Sequence, residues 1–302
     1  MKKHIISVMV IFVCVILFCG TALGQTAKEL KVLTIGASFW SAGGASFQVI
    51  KALLESQGYK AETESARGGP NAFHRMKIFQ TGVGLETLKS GEVTDKSKKQ
   101  AQVDVESCLK DLKAKDWDFV CFMAHSSEPF QGNALDKTDA YIEELKKNKP
   151  AKSKLVATMT WVKEPQKQDY ETIRKYYKGI AEKYGILFAP SGDAFEIVEK
   201  DRPDIPIFRS DMEAFKTKNP GKTDRHPSIY GQYLNSCVVV ATITGASPVG
   251  LPCKLDGIVD TFDDKEGDGL KSPMDIPPDI AKYLQETAWK VVQALKSAEE
   301  KK

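Results

Sequence analysis

Leu30-Lys31-Val32-Leu33-Thr34-Ile35-Gly36-Ala37-Ser38 is the stretch on which the fold turns. Residues 30–35 are nearly all apolar or β-branched, do not alternate, and run straight into a glycine. Such a run reads as a strand buried on both faces. Side chains just past the carboxyl end of such a strand face the crevice in which open parallel sheets bind ligands. Ser38 is therefore the first residue to ask chemistry of. The competing reading is a plain strand-to-helix turn in which Ser38 only caps the helix.

The same grammar repeats outward. Residues 47–57 place Phe47, Ile50, Leu53 and Leu54 on one helical face before Gly58. Strands are predicted at 59–65, 118–123, 154–160 and 186–189, and helices at 137–147, 170–184, 230–243 and 280–295. Residues 75–107 are polar and lysine-rich and predict a helix plus a surface loop, with Lys96 to Lys99 on a solvated face. Residues 252–278, rich in Asp, Gly and Pro, predict a surface excursion. Continuous apolar strands alternating with helices specify a parallel five-stranded sheet covered on both faces, an α/β protein. The Gly43-Gly44-Ala45 run lacks the spacing of a nucleotide-binding loop.

Composition narrows the function classes. Of 302 residues, 42% are hydrophobic, and 43 basic against 40 acidic residues leave a formal charge of +3. That balance gives no electrostatic case for a nucleic-acid partner. Lys2 and Lys3, the apolar run 5–18 and Ala22-Leu23-Gly24 read as a signal peptide spanning 1–24 and preceding one domain at 25–302. The apolar run is short for a spanning helix, so the expectation is a secreted or periplasmic protein with no membrane segment after cleavage. Cys108, Cys121, Cys237 and Cys253 then remain, and four thiols allow three pairings. Cys121 and Cys237 lie in apolar runs as buried thiols, and a Cys237–Cys253 bridge stays open. No Cys/His spacing suggests a metal, and no cofactor is implied.

A serine needs a base to become a nucleophile at neutral pH, and histidine is the usual one. Beyond the leader only His74, His125 and His226 are available. His226 lies in Thr223-Asp224-Arg225-His226-Pro227-Ser228, at the mouth of the apolar helix that follows. Asp224 is close enough to orient its ring. His125 directly follows a strand and faces the crevice, whereas His74 sits on a helix face. Trp40 and Trp161, near strand ends, are candidates for a sugar-stacking platform or for core packing.

These residues together resemble the SGNH/GDSL hydrolases. Residues 32–39 (VLTIGASF) resemble their first block. Residues 224–245 (DRHPSIYGQYLNSCVVVATITG) resemble the last block of a bacterial subgroup that reads His-Pro-Ser followed by an apolar helix. Residues 117–123, Met159-Thr160-Trp161 and 189–195 match intermediate strands, so the resemblance covers about 31–295. It implies a flavodoxin-like three-layer α/β/α sandwich that cleaves esters through an acyl-serine. Ser38 would be the nucleophile, His226 the base and Asp224 its orienting acid. Export and this resemblance together suggest a carbohydrate O-acetyl ester as substrate.

Three positions depart from the family pattern. Ala37 replaces the usual Asp or Asn. The family acid falls three residues before the histidine, which is Thr223 here. Met123 stands near where the subgroup has an amide that would bind the oxyanion. The resemblance assigns Gly69, in Gly68-Gly69-Pro70-Asn71, to the oxyanion hole, with Asn71 or His125 as substitutes for the missing amide. A solvated Asp224 would leave a Ser–His dyad, and a chain degenerate at Met123 and Thr223 would bind a carbohydrate or another ligand without turnover.

Overall fold

The computed structural model describes residues 27–36, 38–40, 42, 45–82, 93–125, 128–130, 134–162, 169–260 and 273–299. The expected leader, Ala37, the Gly43-Gly44 pair and part of the 252–278 excursion lie outside them. The central strand β1 (Glu29–Gly36) pairs in parallel with β2 (Lys60–Arg67) on one side and β3 (Phe119–Phe122) on the other. The sheet continues through β4 (Lys154–Thr158) and β5 (Leu187–Ala189), all parallel, in the order β2-β1-β3-β4-β5. That is the flavodoxin-like order, and its winding reverses between β1 and β3. The carboxyl ends of those two strands carry Ser38 and His125.

Why β1, β3 and β4 read as continuous apolar runs is plain from their packing. Val32, Cys121 and Val156 pack into the core on one face of the sheet. Their neighbours Leu33, Ile35, Val120, Phe122, Leu155 and Ala157 pack into the core on the other. Strand geometry alternates the faces, but both faces are dry, so the sequence shows no alternation.

In chain order the helices are α1 (Ser46–Ser56), α2 (Pro70–Thr81), α3 (Asp95–Ala114), α4 (Ala134–Asn148) and α5 (Tyr170–Tyr184). They continue as α6 (Ser191–Asp201), the short α7 (Glu213–Lys218), α8 (Ile229–Thr244) and α9 (Pro278–Glu299). The first core takes apolar residues from α1, α6, α8 and α9, and the second takes them from α2, α3, α4 and α5. The result is a three-layer α/β/α sandwich around a five-stranded parallel sheet. α8 is buried nearly all round. Burial of each of Leu234, Val238 and Val239 is worth about 1.5–3 kcal/mol, so α8 is a fixed post from which the preceding loop is hung.

Several expectations change. Within residues 75–107 the described parts are the second half of α2 and most of α3, and residues 191–201, whose first part the family resemblance matches to a strand, form the helix α6. Residues 254–259 and 273–275 form an antiparallel ribbon of β6 (Lys254–Val259) and β7 (Pro273–Asp275). All four cysteines are free thiols. The open Cys237–Cys253 bridge does not form; Cys237 is a fully buried thiol of α8, and burial pushes its pKa up. Among the described residues no helix is long and apolar enough to cross a membrane.

Candidate active site

The turn that carries Ser38 is pinned from three directions. β1 ends at Gly36, and a 3-10 turn over Ser38–Trp40 follows. The Trp40 ring folds back against Gly36, so closely that a Cβ there would lie 2.4 Å from it; only glycine permits this. The indole N–H of Trp40 donates to the Ile35 carbonyl at 3.1 Å, and the Ser46 hydroxyl donates to the Trp40 carbonyl at 2.8 Å. From α8, the buried Gln232 amide nitrogen donates to the carbonyls of Ala42 (3.0 Å) and Phe39 (3.2 Å).

A second clamp fixes the loop that carries His226. Phe208 pairs with Pro227 in an antiparallel bridge. The Arg209 amide donates to the His226 carbonyl at 2.9 Å, and the Ser228 amide donates to the Ile207 carbonyl at 3.0 Å. α8 starts directly beneath this strap: a Cβ on Gly231 would lie 2.2 Å from the Ile207 carbonyl oxygen. On the other side the indole N–H of Trp161 donates to the Arg225 carbonyl at 3.0 Å. Trp161 is itself stacked between Phe39 (5.0 Å) and Phe195 (4.0 Å). Trp40 and Trp161 are thus both buried pillars. For Trp161 the packing alternative holds, because both faces of its indole are covered by Phe39 and Phe195; Trp40 is buried too, yet it borders the crevice beside Ser38.

These two clamps bring the three expected side chains into one hydrogen-bonded line. The Ser38 hydroxyl lies 2.8 Å from Nε2 of His226, and Nδ1 of His226 lies 2.6 Å from Oδ1 of Asp224. An ionised carboxylate only accepts, so Nδ1 carries the proton and Nε2 is left to accept from Ser38. Burial alone would raise the Asp224 pKa. The hydrogen bonds from the His226 ring and amide, with the Arg209 charge behind, outweigh it and hold the pKa below the usual aspartate value. The Arg209 guanidinium donates to Oδ2 at 3.4 Å, and the Ser210 hydroxyl donates to the Asp224 carbonyl at 2.9 Å. The Phe39 ring meets the imidazole edge-on at 5.3 Å. Thr223, at the family's acid position, is exposed. Asp224 is not a solvated bystander: it reaches the ring from one residue nearer.

Ser38 opens onto a crevice of about 920 Å³ that is also lined by Gly69, Asn71, Met123 and His125. Gly69 caps α2 and Asn71 lies in its first turn, with Pro70 between them at the first helical position. The positive end of the helix dipole favours negative charge at such a place. Met123 is buried and has no N–H or O–H on its side chain to offer. Burial, and then the nearby charges of Arg225 and His226, push the His125 pKa down, so its ring is neutral at pH 7 and can donate one N–H. His74 lies in α2, half-buried. Among the described residues no cluster of His, Cys, Asp or Glu is placed to hold a metal ion.

Sequence reasoning did not find Arg209, Ser210 or Gln232. Each is a polar residue in a stretch whose partners lie elsewhere in the chain, and nothing in local spacing marks them. Nor did it place Arg67, Arg75 and Lys96 on the crevice.

No family model and no curated protein matches the chain. Among solved structures it is similar to a DUF4886 family protein from Bacteroides uniformis, with a TM-score of 0.57 and 16% identity over 88% of this chain and 95% of that one. This similarity bears on architecture and agrees with the three-layer fold. Weaker similarity links it to a G-D-S-L family lipolytic protein from Desulfitobacterium hafniense (TM-score 0.39, 14% identity, 70% of this chain and 98% of that one). A salicylyl-acyltransferase, SsfX3, from a tetracycline biosynthetic pathway has a TM-score of 0.40 and 10% identity over 76% of this chain and 58% of that one.

Proposed function

We propose that the protein is an exported serine ester hydrolase of the SGNH/GDSL type, acting on a carbohydrate O-acyl ester. What carries the reading is the unbroken relay from Ser38 through His226 to Asp224, set at the crevice of the sheet's switch point. Export rests on the charged and apolar pattern of residues 1–24.

In this reading the Ser38 oxygen attacks the ester carbonyl while Nε2 of His226 takes its proton. The carbonyl oxygen becomes an oxyanion, received by the Ser38 backbone N–H and the Gly69 end of α2, with Asn71 and His125 as side-chain donors. Asp224 keeps the imidazolium oriented and its charge compensated. The imidazolium then protonates the leaving alcohol and the acyl group stays on Ser38. Water, deprotonated by the same nitrogen, attacks the acyl carbonyl, and collapse of that second intermediate frees the acid and restores Ser38.

A second reading, binding of a carbohydrate without turnover, retains one supporting observation: Met123 offers no donor where the resemblance calls for an amide. A fluorophosphonate probe and p-nitrophenyl acetate separate the two. The hydrolase labels at Ser38 and turns over the ester, and Ser38→Ala abolishes both. A protein that neither labels nor hydrolyses, yet melts at higher temperature with a sugar ligand, is the binder.

A further inference from the structure

The crevice in front of Ser38 is far larger than a short acyl group, and its volume of about 920 Å³ is that of a site for a multi-atom ligand. Its far wall is made by α2 and α3. Asn71 and Arg75 lie one helical turn apart on α2, and Lys96, Gln100 and Asp104 follow at helical spacing on α3; all five line the crevice. Arg67 lines it from the end of β2, in register with Gly36 and so beside the turn that carries the nucleophile.

The described lining therefore sets the cations Arg67, Arg75 and Lys96 against the carboxylate of Asp104. That carboxylate already accepts a hydrogen bond from Gln100 at 2.9 Å. The first turns of both helices line the same space, through Gly69 and Asn71 on α2 and Thr94 and Ser97 on α3. Their dipoles add positive potential of the same sign as the side chains. A concave wall on which one sign of charge predominates, here three cations to one carboxylate, concentrates counter-charge inside it.

We infer that the alcohol portion of the substrate carries a negative charge, so that the site takes an O-acylated acidic sugar in preference to a neutral one. The inference rests on the hydrolase reading for its catalytic form, but the charge preference belongs to the crevice. The acyl group sits at Ser38, and the anionic ring extends toward Arg67, Arg75 and Lys96, where guanidinium groups match a carboxylate.

The test compares acetylated methyl glucuronoside with acetylated methyl glucoside, which differ in one carboxylate. The expected result is a kcat/KM roughly tenfold or more higher for the uronoside at low salt. The ratio should fall toward one near about 0.5 M salt. It should also fall in Arg75→Gln and further in Arg67→Gln/Arg75→Gln/Lys96→Gln, and Arg75→Lys should restore part of it. A wild-type ratio of one or below, or a ratio insensitive to these substitutions, overturns the inference. Calorimetric titration of the Ser38→Ala protein with the two unacetylated glycosides reads the preference without catalysis. If the fluorophosphonate does not label Ser38 and neither ester is cleaved, the hydrolase reading has failed. The titration alone then decides: tighter uronoside binding sustains the charged crevice, and equal binding removes it.

Discussion

Asp224 accepts two hydrogen bonds from His226 on one oxygen, at 2.6 Å from ring Nδ1 and at 2.9 Å from the backbone amide. A carboxylate bonded to the amide two residues on is an Asx turn. This turn folds the acid back onto the histidine it serves, and it explains why a spacing of two residues delivers what the family pattern achieves with three. Replacing the carboxylate by an amide leaves the shape of the turn but destroys the preference for the Nδ1–H tautomer. Asp224→Asn should therefore reduce kcat by on the order of 10³–10⁴-fold with little change in KM. Exposed Thr223→Ala should stay within about twofold. Steady-state kinetics on p-nitrophenyl acetate checks both, and equal losses at the two positions would remove Asp224 from the relay.

The same carboxylate makes folding pH-dependent. Its pKa is below the ordinary value in the folded protein, so the folded state binds its proton less readily than the unfolded chain. A depressed acid contributes stability that is fully present above its unfolded pKa, about 3.9. That contribution is lost as pH falls through the lower folded value. The stability advantage of wild type over Asp224→Asn, measured by urea denaturation, should hold from pH 5 upward and shrink between about pH 4 and pH 2. Arg209→Met removes a cation that depresses this pKa and should move the acid loss to higher pH. An advantage that stays constant down to pH 2 would contradict the assignment.

Much of this architecture was legible because burial on both faces writes itself into β1, β3 and β4 as uninterrupted apolar runs. Ser38 and His226 were legible for a related reason: one ends a buried strand and the other opens a buried helix, and both boundaries are sharp in the sequence. The supports were not. Arg209 is a charged residue in a stretch without periodicity, and its burial depends on the strap against Pro227. Trp40 and Trp161 lie near strand ends, as rim aromatics do, and only their packing distinguishes pillar from platform. Lys96 lies on a helix that looks solvated throughout, and it becomes part of a crevice because α2 faces α3.

Gln232 ties the nucleophile's turn to α8, one helical turn into the helix whose entrance holds His226. Its amide satisfies the carbonyls of Phe39 and Ala42, and a buried carbonyl left without a donor costs about 1–3 kcal/mol. Gln232→Leu should lower the unfolding free energy by about that amount. It should also slow fluorophosphonate labelling of Ser38 by roughly tenfold or more, because small misplacements of a nucleophile are costly. A purely structural residue would lower stability and leave the labelling rate of the folded fraction at the wild-type value.

His125 provides the sharpest test of how the oxyanion is held when position 123 supplies no amide. It lines the crevice with Ser38 and Asn71, and its lowered pKa keeps it neutral at pH 7, so in the proposed mechanism it would act as a single N–H donor rather than as a charge. Loss of one such donor typically costs on the order of a hundredfold or more in kcat. His125→Ala should show that loss with KM nearly constant, because the bond strengthens only as the oxyanion forms. His125→Asn, which keeps an N–H at similar reach, should recover about tenfold of it. If the neutral ring is the acting form, the kcat profiles of wild type and His125→Asn should run parallel from about pH 7 upward. A His125→Ala protein with wild-type kcat would move the oxyanion's contacts entirely onto the Ser38 backbone, Gly69 and Asn71.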